Sequence, residues 1–189
     1  MYLKHRELIK RKFKYIGKNV LISDKASIYN TDQFEIGDNS RIDDFVLISG
    51  KIKIGSFVHV AAHSYIGGGI EGVEIDDFTG LAHHVQVFSQ SDDYSGITMT
   101  NPTVDENFKN VIRKKVIIKK HCIIGAGSII MPGVTLNEGS AVGAMTLIRK
   151  NTQPWSTYLG NPSKKIKDRR KDLLLLEKKF LKKITNEEF

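Results

Sequence analysis

The sequence predicts a mainly β fold: a chain coiled in six-residue steps, interrupted by one long inserted loop and closed by a C-terminal α-helix. Three observations carry this prediction. From Lys115 to Thr152 an aliphatic residue returns at every sixth position, at Ile118, Ile124, Ile130, Leu136, Val142 and Ile148. Four residues after each stands a small or β-branched one (Cys122, Ser128, Val134, Ser140, Thr146, Thr152), and turn-formers such as Gly125–Ala126–Gly127 and Pro132–Gly133 fall between. Helices repeat every 3.6 residues and simple strands every 2, so a period of six requires short strands joined by tight corners. The third observation is that the repeat stops after Val87, returns near Lys115, and gives way in the tail to Leu173, Leu176, Phe180 and Ile184 at helical spacing.

In chain order, residues 1–15 form an arm or cap, with Leu3, Leu8, Ile9 and Phe13 available to cover the open end of a repeat stack. Hexads then run through Ile16, Ile22 and Ile28, with Val20 and Ala26 at the small places. Two extra residues near Asp32 shift the phase. Ile36, Ile42, Ile48, Ile54, Val60 and Ile66 resume it, the glycine-rich kink Gly67–Gly72 inserts three residues, and Ile75, Leu81 and Val87 continue. Residues 89–114 form a loop long enough to imply a function. After Thr152 come Gln153–Pro154–Trp155 and then Gly160–Asn161–Pro162–Ser163–Lys164. Three segments result: the arm 1–15, the repeat body 16–163, and a basic amphipathic helix and tail over 164–189.

The net charge of +8 sits at the ends. Residues 1–18 hold seven Lys/Arg against one acid and residues 164–189 ten against five, whereas residues 19–163 hold twelve against fifteen. A nucleic-acid binder shows a basic stripe with interleaved aromatic residues on its folded body, so no nucleic-acid partner is expected. A single cysteine, Cys122, excludes intrachain disulfides and points to a reducing compartment. No run of 18 apolar residues and no signal-peptide core is present, so a cytoplasmic protein without a transmembrane segment is expected.

The repeat, the loop and the Gly-Asn-Pro-small-Lys closing segment together resemble the hexapeptide-repeat acyltransferases. The resemblance covers residues 16–163 and is strongest toward bacterial sugar O- and N-acetyltransferases of the galactoside, maltose and O-antigen or capsule type. It implies a left-handed parallel β-helix and a homotrimer with active sites between subunits. It also implies transfer of an acetyl group from acetyl-CoA to a sugar or nucleotide sugar, in surface-polysaccharide biosynthesis, with no metal. The family's loop reaches toward the neighbouring subunit.

The resemblance also assigns roles. Gly125, Ala126, Gly127, Gly143 and Ala144 would let coenzyme A approach the backbone, so that free N–H groups bond the pantetheine arm and the developing oxyanion. Lys150, Trp155, Lys164, Lys165 and Arg169 would surround its nucleotide end. The family's O-acetyltransferases carry a histidine base at the start of the loop, but Ser89–Tyr94 aligns Asp92 there. The base then falls to His84 or its neighbour His83, oriented by Asp92 or Asp93, or the acceptor is an amine that needs less help. Two other readings compete: a non-catalytic β-helix scaffold, and a γ-carbonic-anhydrase-like zinc hydratase using His59, His63 and His83 or His84, whose spacing does not match that family's ligands.

Overall fold

A computed structural model describes residues 1–187, so the last two residues of the expected tail lie outside the described residues. The chain winds into a three-sided β-helix whose flat sides are parallel sheets. The first face stacks Tyr15–Ile16, Phe34–Ile36, Ile52–Ile54, Val73–Ile75, Val116–Ile118 and Thr135–Leu136. The second stacks Leu21–Ile22, Arg41–Ile42, His59–Val60, Gly80–Leu81, Ile123–Ile124 and Ala141–Val142, and the third runs from Ser27–Ile28 through Gln86–Phe88 to Leu147–Ile148. This is the β-helix expected from the hexads, with its inserted loop and its C-terminal helix.

The sixth-position residues stack directly on one another. Ile36, Ile54, Ile75, Ile118 and Leu136 are register partners in series up the first face. Ile42, Val60, Leu81, Ile124 and Val142 do the same on the second. Each of these side chains is at most 3% exposed, and burying an aliphatic side chain of this size contributes about 1.5–3 kcal/mol. The hydroxyls at the small places serve the corners. Ser128 Oγ donates to the Gly143 carbonyl at 2.8 Å, and Thr152 Oγ1 accepts from Asn137 N–H at 2.9 Å.

Most corners place one residue in the left-handed backbone region. On the edge between the first and second faces these are Asn19, Asn39, Phe57, Phe78, His121, Gly139 and Trp155. On the edge between the second and third they are Phe45, His63, His84, Gly127 and Met145. Such a conformation costs a residue with a side chain about 1–2 kcal/mol. Stacking between coils offsets it: Phe57 and Phe78 lie 4.8 Å apart and nearly parallel, as do His63 and His84 at 4.9 Å.

Helix α1 (His5–Lys10) covers the N-terminal end. Leu8 is buried and Leu3 and Phe13 pack on the core, but Ile9, expected among them, remains 63% exposed. The phase shift near Asp32 is a short helical turn over Thr31–Gln33. The tail departs from expectation. Lys164–Asp168 is a strand, antiparallel to Ser156–Leu159 on the second face, and helix α2 spans only Leu173–Glu187. Open backbone groups on the last coil outweigh the weak helical preference of Lys-Lys-Ile-Lys-Asp.

Candidate active site

The two glycine-bearing corners lie on the second edge, at residues 125–128 and 143–146, in register with 82–85 and 61–64 of the preceding coils. Contrary to the expectation from the sequence, the N–H groups of Gly125, Gly127 and Gly143 are not free. They bond the carbonyls of Val142, His83 and Tyr158 at 2.7, 3.0 and 2.8 Å. At these two corners the donors unpaired among the described residues are those of Ala126 and Ala144, both exposed. On the first edge the equivalent N–H groups of Lys18 and Ser56 are capped by the Asp38 and Asp77 carboxylates at 2.7 Å. The second edge lacks such caps at Ala126 and Ala144, which suits a ligand that accepts hydrogen bonds.

His83 occupies the same corner position one coil before Ala126, between the small residues Ala62 and Ala126, and its ring is exposed. His84 occupies the left-handed position, and its ring lies flat on His63, which in turn stacks on Phe45 at 5.0 Å. His59 is bound to Asp43 at 2.8 Å. His121 is 6% exposed and bonds Glu177 of α2 at 3.0 Å.

The loop leaves the coil on the third edge, between the third and first faces. Gln90–Ser91 pairs antiparallel with Ile112–Arg113 at its root. Among the described residues Asp92 Oδ2 accepts a single bond, from Asn101 N–H at 3.4 Å. Asp93 is committed to the loop, accepting from Ser95 N–H at 2.9 Å, Ser95 Oγ at 2.7 Å and Thr98 Oγ1 at 3.1 Å. The Ser95 hydrogen bonds hold its carboxyl below the ordinary range. Asp92 and His83 are therefore anchored on opposite edges of the third face.

The residues expected around the coenzyme's nucleotide separate into two groups. Trp155 is 9% exposed, covers Gly139 on the first edge, and carries the Lys171 ammonium 5.8 Å from its ring. Arg169 donates to the His121 and Gly139 carbonyls at 2.7 and 3.0 Å, and burial lowers its pKa. Both tie α2 and the closing segment to the coil, a role with no spacing signal in the sequence. Lys165 binds Gln153 and Asp168. Lys150 and Lys164 are open to solvent. Lys150 lines a cleft of about 540 Å³ with Arg149, Asn151, Tyr158 and Ser163. Among the described residues no group of three His, Cys, Asp or Glu could hold a metal ion, and no helix is long and apolar enough to cross a membrane.

No protein-family model matches the chain. It is 41% identical over 182 residues, 95% of this chain and 94% of the other, to a dTDP-4-amino-4,6-dideoxy-D-glucose acyltransferase from Escherichia coli. AntD, an N-acyltransferase from Bacillus cereus solved with dTDP and 3-hydroxybutyryl-CoA, is 46% identical. The two superpose with a TM-score of 0.96 over 97% of this chain and 98% of AntD. A variant of AntD solved with dTDP-4-amino-4,6-dideoxyglucose and Coenzyme A is 47% identical, with a TM-score of 0.95 over 96% and 98% of the two chains. With this likeness along nearly its whole length, the chain belongs to the hexapeptide-repeat sugar acyltransferases, enzymes that draw their acyl group from a coenzyme A thioester.

Proposed function

We propose that the chain transfers an acyl group from acetyl-CoA or a similar thioester to the amino group of a dTDP-linked 4-amino-4,6-dideoxyhexose. The observation that carries the reading is the near full-length likeness to N-acyltransferases solved with those two ligands. It also accounts for Asp92 at the place where the family's O-acetyltransferases carry a histidine. A neutral amine is already nucleophilic, so the site needs to hold it and take its proton rather than activate a hydroxyl.

The chemistry follows from the second edge. The pantetheine arm lies along Gly125–Gly127 and Gly143–Ala144, where small residues leave room beside the backbone. The unpaired N–H groups of Ala126 and Ala144 bond the arm and the thioester oxygen as it gains charge. The amine nitrogen attacks the thioester carbon, the C–N bond forms and the C–S bond breaks. His83 takes the proton released from nitrogen, and the coenzyme leaves as a thiolate. Asp92 holds the acceptor amine, while Lys150, with Arg149 beside it, pairs with phosphates at the nucleotide end.

His83 and Asp92 stand on opposite edges of a face about 16 Å wide, taking Val85–Ser89 at about 3.3 Å per residue. A site that uses both closes when the loop of one subunit packs against the glycine-bearing edge of another, which supports a homotrimer with shared sites. The single buried thiol and the two nucleotide substrates support a cytoplasmic setting.

Replacing His83 by Ala tests the base. The turnover number should fall by at least about 100-fold with coenzyme A affinity retained, and His84→Ala should cost far less. Equal effects at both positions would remove His83 from this role.

A further inference from the structure

One sequence feature has no part in the chemistry above, the glycine-rich kink Gly67–Gly72 on the third edge. Its Gly67, Gly69 and Ile70 form one wall of a cleft of about 300 Å³ that also includes Asn30, Gln33, Ser49, Gly50, Tyr65 and Gln90. None of its lining residues is charged. Three are carboxamides, and Gln33 and Gln90 are exposed, their side-chain amides without a hydrogen-bond partner among the described residues. Asn30 spends its oxygen on Gly50 N–H at 3.0 Å, leaving its amide N–H₂ as a donor.

The glycines make this space. Gly50 and Gly69 both have positive φ. A Cβ on Gly69 would stand 2.6 Å from Gln90 Oε1, and one on Gly67 would stand 2.6 Å from the Tyr65 hydroxyl and 2.8 Å from its ring. The Tyr65 ring therefore lies across a bare backbone as a flat wall, braced by Phe88 at 5.2 Å. Beside Gly69, Ser89 Oγ is a buried side-chain polar atom with no partner among the described residues. Gln90 is two residues from Asp92 and faces Arg113 across the root of the loop.

We propose that this cleft holds the pyrimidine base of the nucleotide-linked acceptor, an inference that rests on the dTDP-sugar reading above. A flat, neutral ring with alternating donors and acceptors on its edge suits an aromatic wall and a set of carboxamides, each offering both N–H and C=O. An anion finds no cation in the lining, so the diphosphate would leave the cleft toward Arg113. The sugar would then lie beside the loop that carries Asp92.

The test is calorimetric titration of the full-length protein with dTDP, with dGDP for comparison and coenzyme A as the control for folding. The wild-type protein should bind dTDP and discriminate against the purine. Gln90→Ala and Gln33→Ala should each weaken dTDP about five- to tenfold, from the loss of one or two neutral hydrogen bonds, and together abolish the discrimination, with coenzyme A affinity unchanged. If the wild type binds dTDP and both variants bind it equally well, the base lies elsewhere and this inference fails while the acceptor reading stands. If the wild type binds coenzyme A but not dTDP, the acceptor reading itself fails and takes this inference with it. For a variant that loses coenzyme A binding as well, Tyr65→Phe with Gln33→Glu gives the deciding comparison, since both keep the volume and the second removes the N–H donors.

Discussion

The corner geometry is tested by making one chemical change at two glycines. Gly139 has φ +69°, and a Cβ added there would collide with the Trp155 indole. Alanine in the left-handed region costs about 1–2 kcal/mol. Forcing a rigid, 9% exposed indole aside adds about 1–3 kcal/mol. Together these give about 2–5 kcal/mol, which for a chain of this size lowers Tm by about 4–20 °C. Gly80 lies in a strand of the second face, and a Cβ there meets nothing within 4 Å. The same substitution restricts only the unfolded chain, so Gly80→Ala should add about 0.4–1 kcal/mol and raise Tm by about 1–4 °C. Thermal unfolding of both variants and the parent at one protein concentration measures the contrast. If Gly139→Ala and Gly80→Ala shift Tm in the same direction by the same amount, the reasoning about corners is refuted.

Two further outcomes follow from side chains at the interior and under α2. Cys122 is 1% exposed, and burial pushes its thiol up to about 12, so iodoacetamide at pH 8 should leave the native protein unlabelled and modify it only after denaturation. Glu177 joins α2 to Lys120 and His121. Burial works against its charge, but the hydrogen bonds from Lys120 and His121 outweigh it and hold the carboxyl below its ordinary pKa. A depressed carboxylate contributes stability above its unfolded pKa and loses it as pH falls through the folded one. The Tm gap between the parent and Glu177→Gln should therefore be full at pH 7, shrink below about pH 4.3, and close in stronger acid; a gap that widens in acid would contradict this.

The interior of the coil was legible because one constraint repeats. Each coil needs one aliphatic residue per face, so Ile42, Leu81 and Ile124 announce themselves by period alone, and the small residues four places later follow from the same tight corner. The long loop was legible as an interruption. What was not legible depends on contacts between coils. That Ala126 and Ala144, rather than the flanking glycines, present free N–H groups emerges only when the hydrogen bonds between successive corners are counted. Trp155 and Arg169 looked like ligand groups because their residue types suit adenine and phosphate. Their partners, Gly139 and the His121 carbonyl, lie one or two coils away in the stack. The strand at Lys164–Asp168 was hidden for a similar reason, since what holds it is the open edge of Ser156–Leu159 and not its own composition. Tyr65 and the Gly67–Gly72 kink were visible as a break in phase, but the cleft they shape needs Gln33 and Gln90 from neighbouring coils.

The central claim is that this coil moves an acyl group from a coenzyme A thioester to a nucleotide-linked amine. It is tested most directly by following thiol release from acetyl-CoA on adding dTDP-4-amino-4,6-dideoxyglucose, and by weighing the product. The account predicts saturable turnover and a product one acetyl group heavier, joined through nitrogen and therefore stable to hydroxylamine. Thiol release that does not rise above background at millimolar acceptor, or a product that hydroxylamine cleaves, would contradict it.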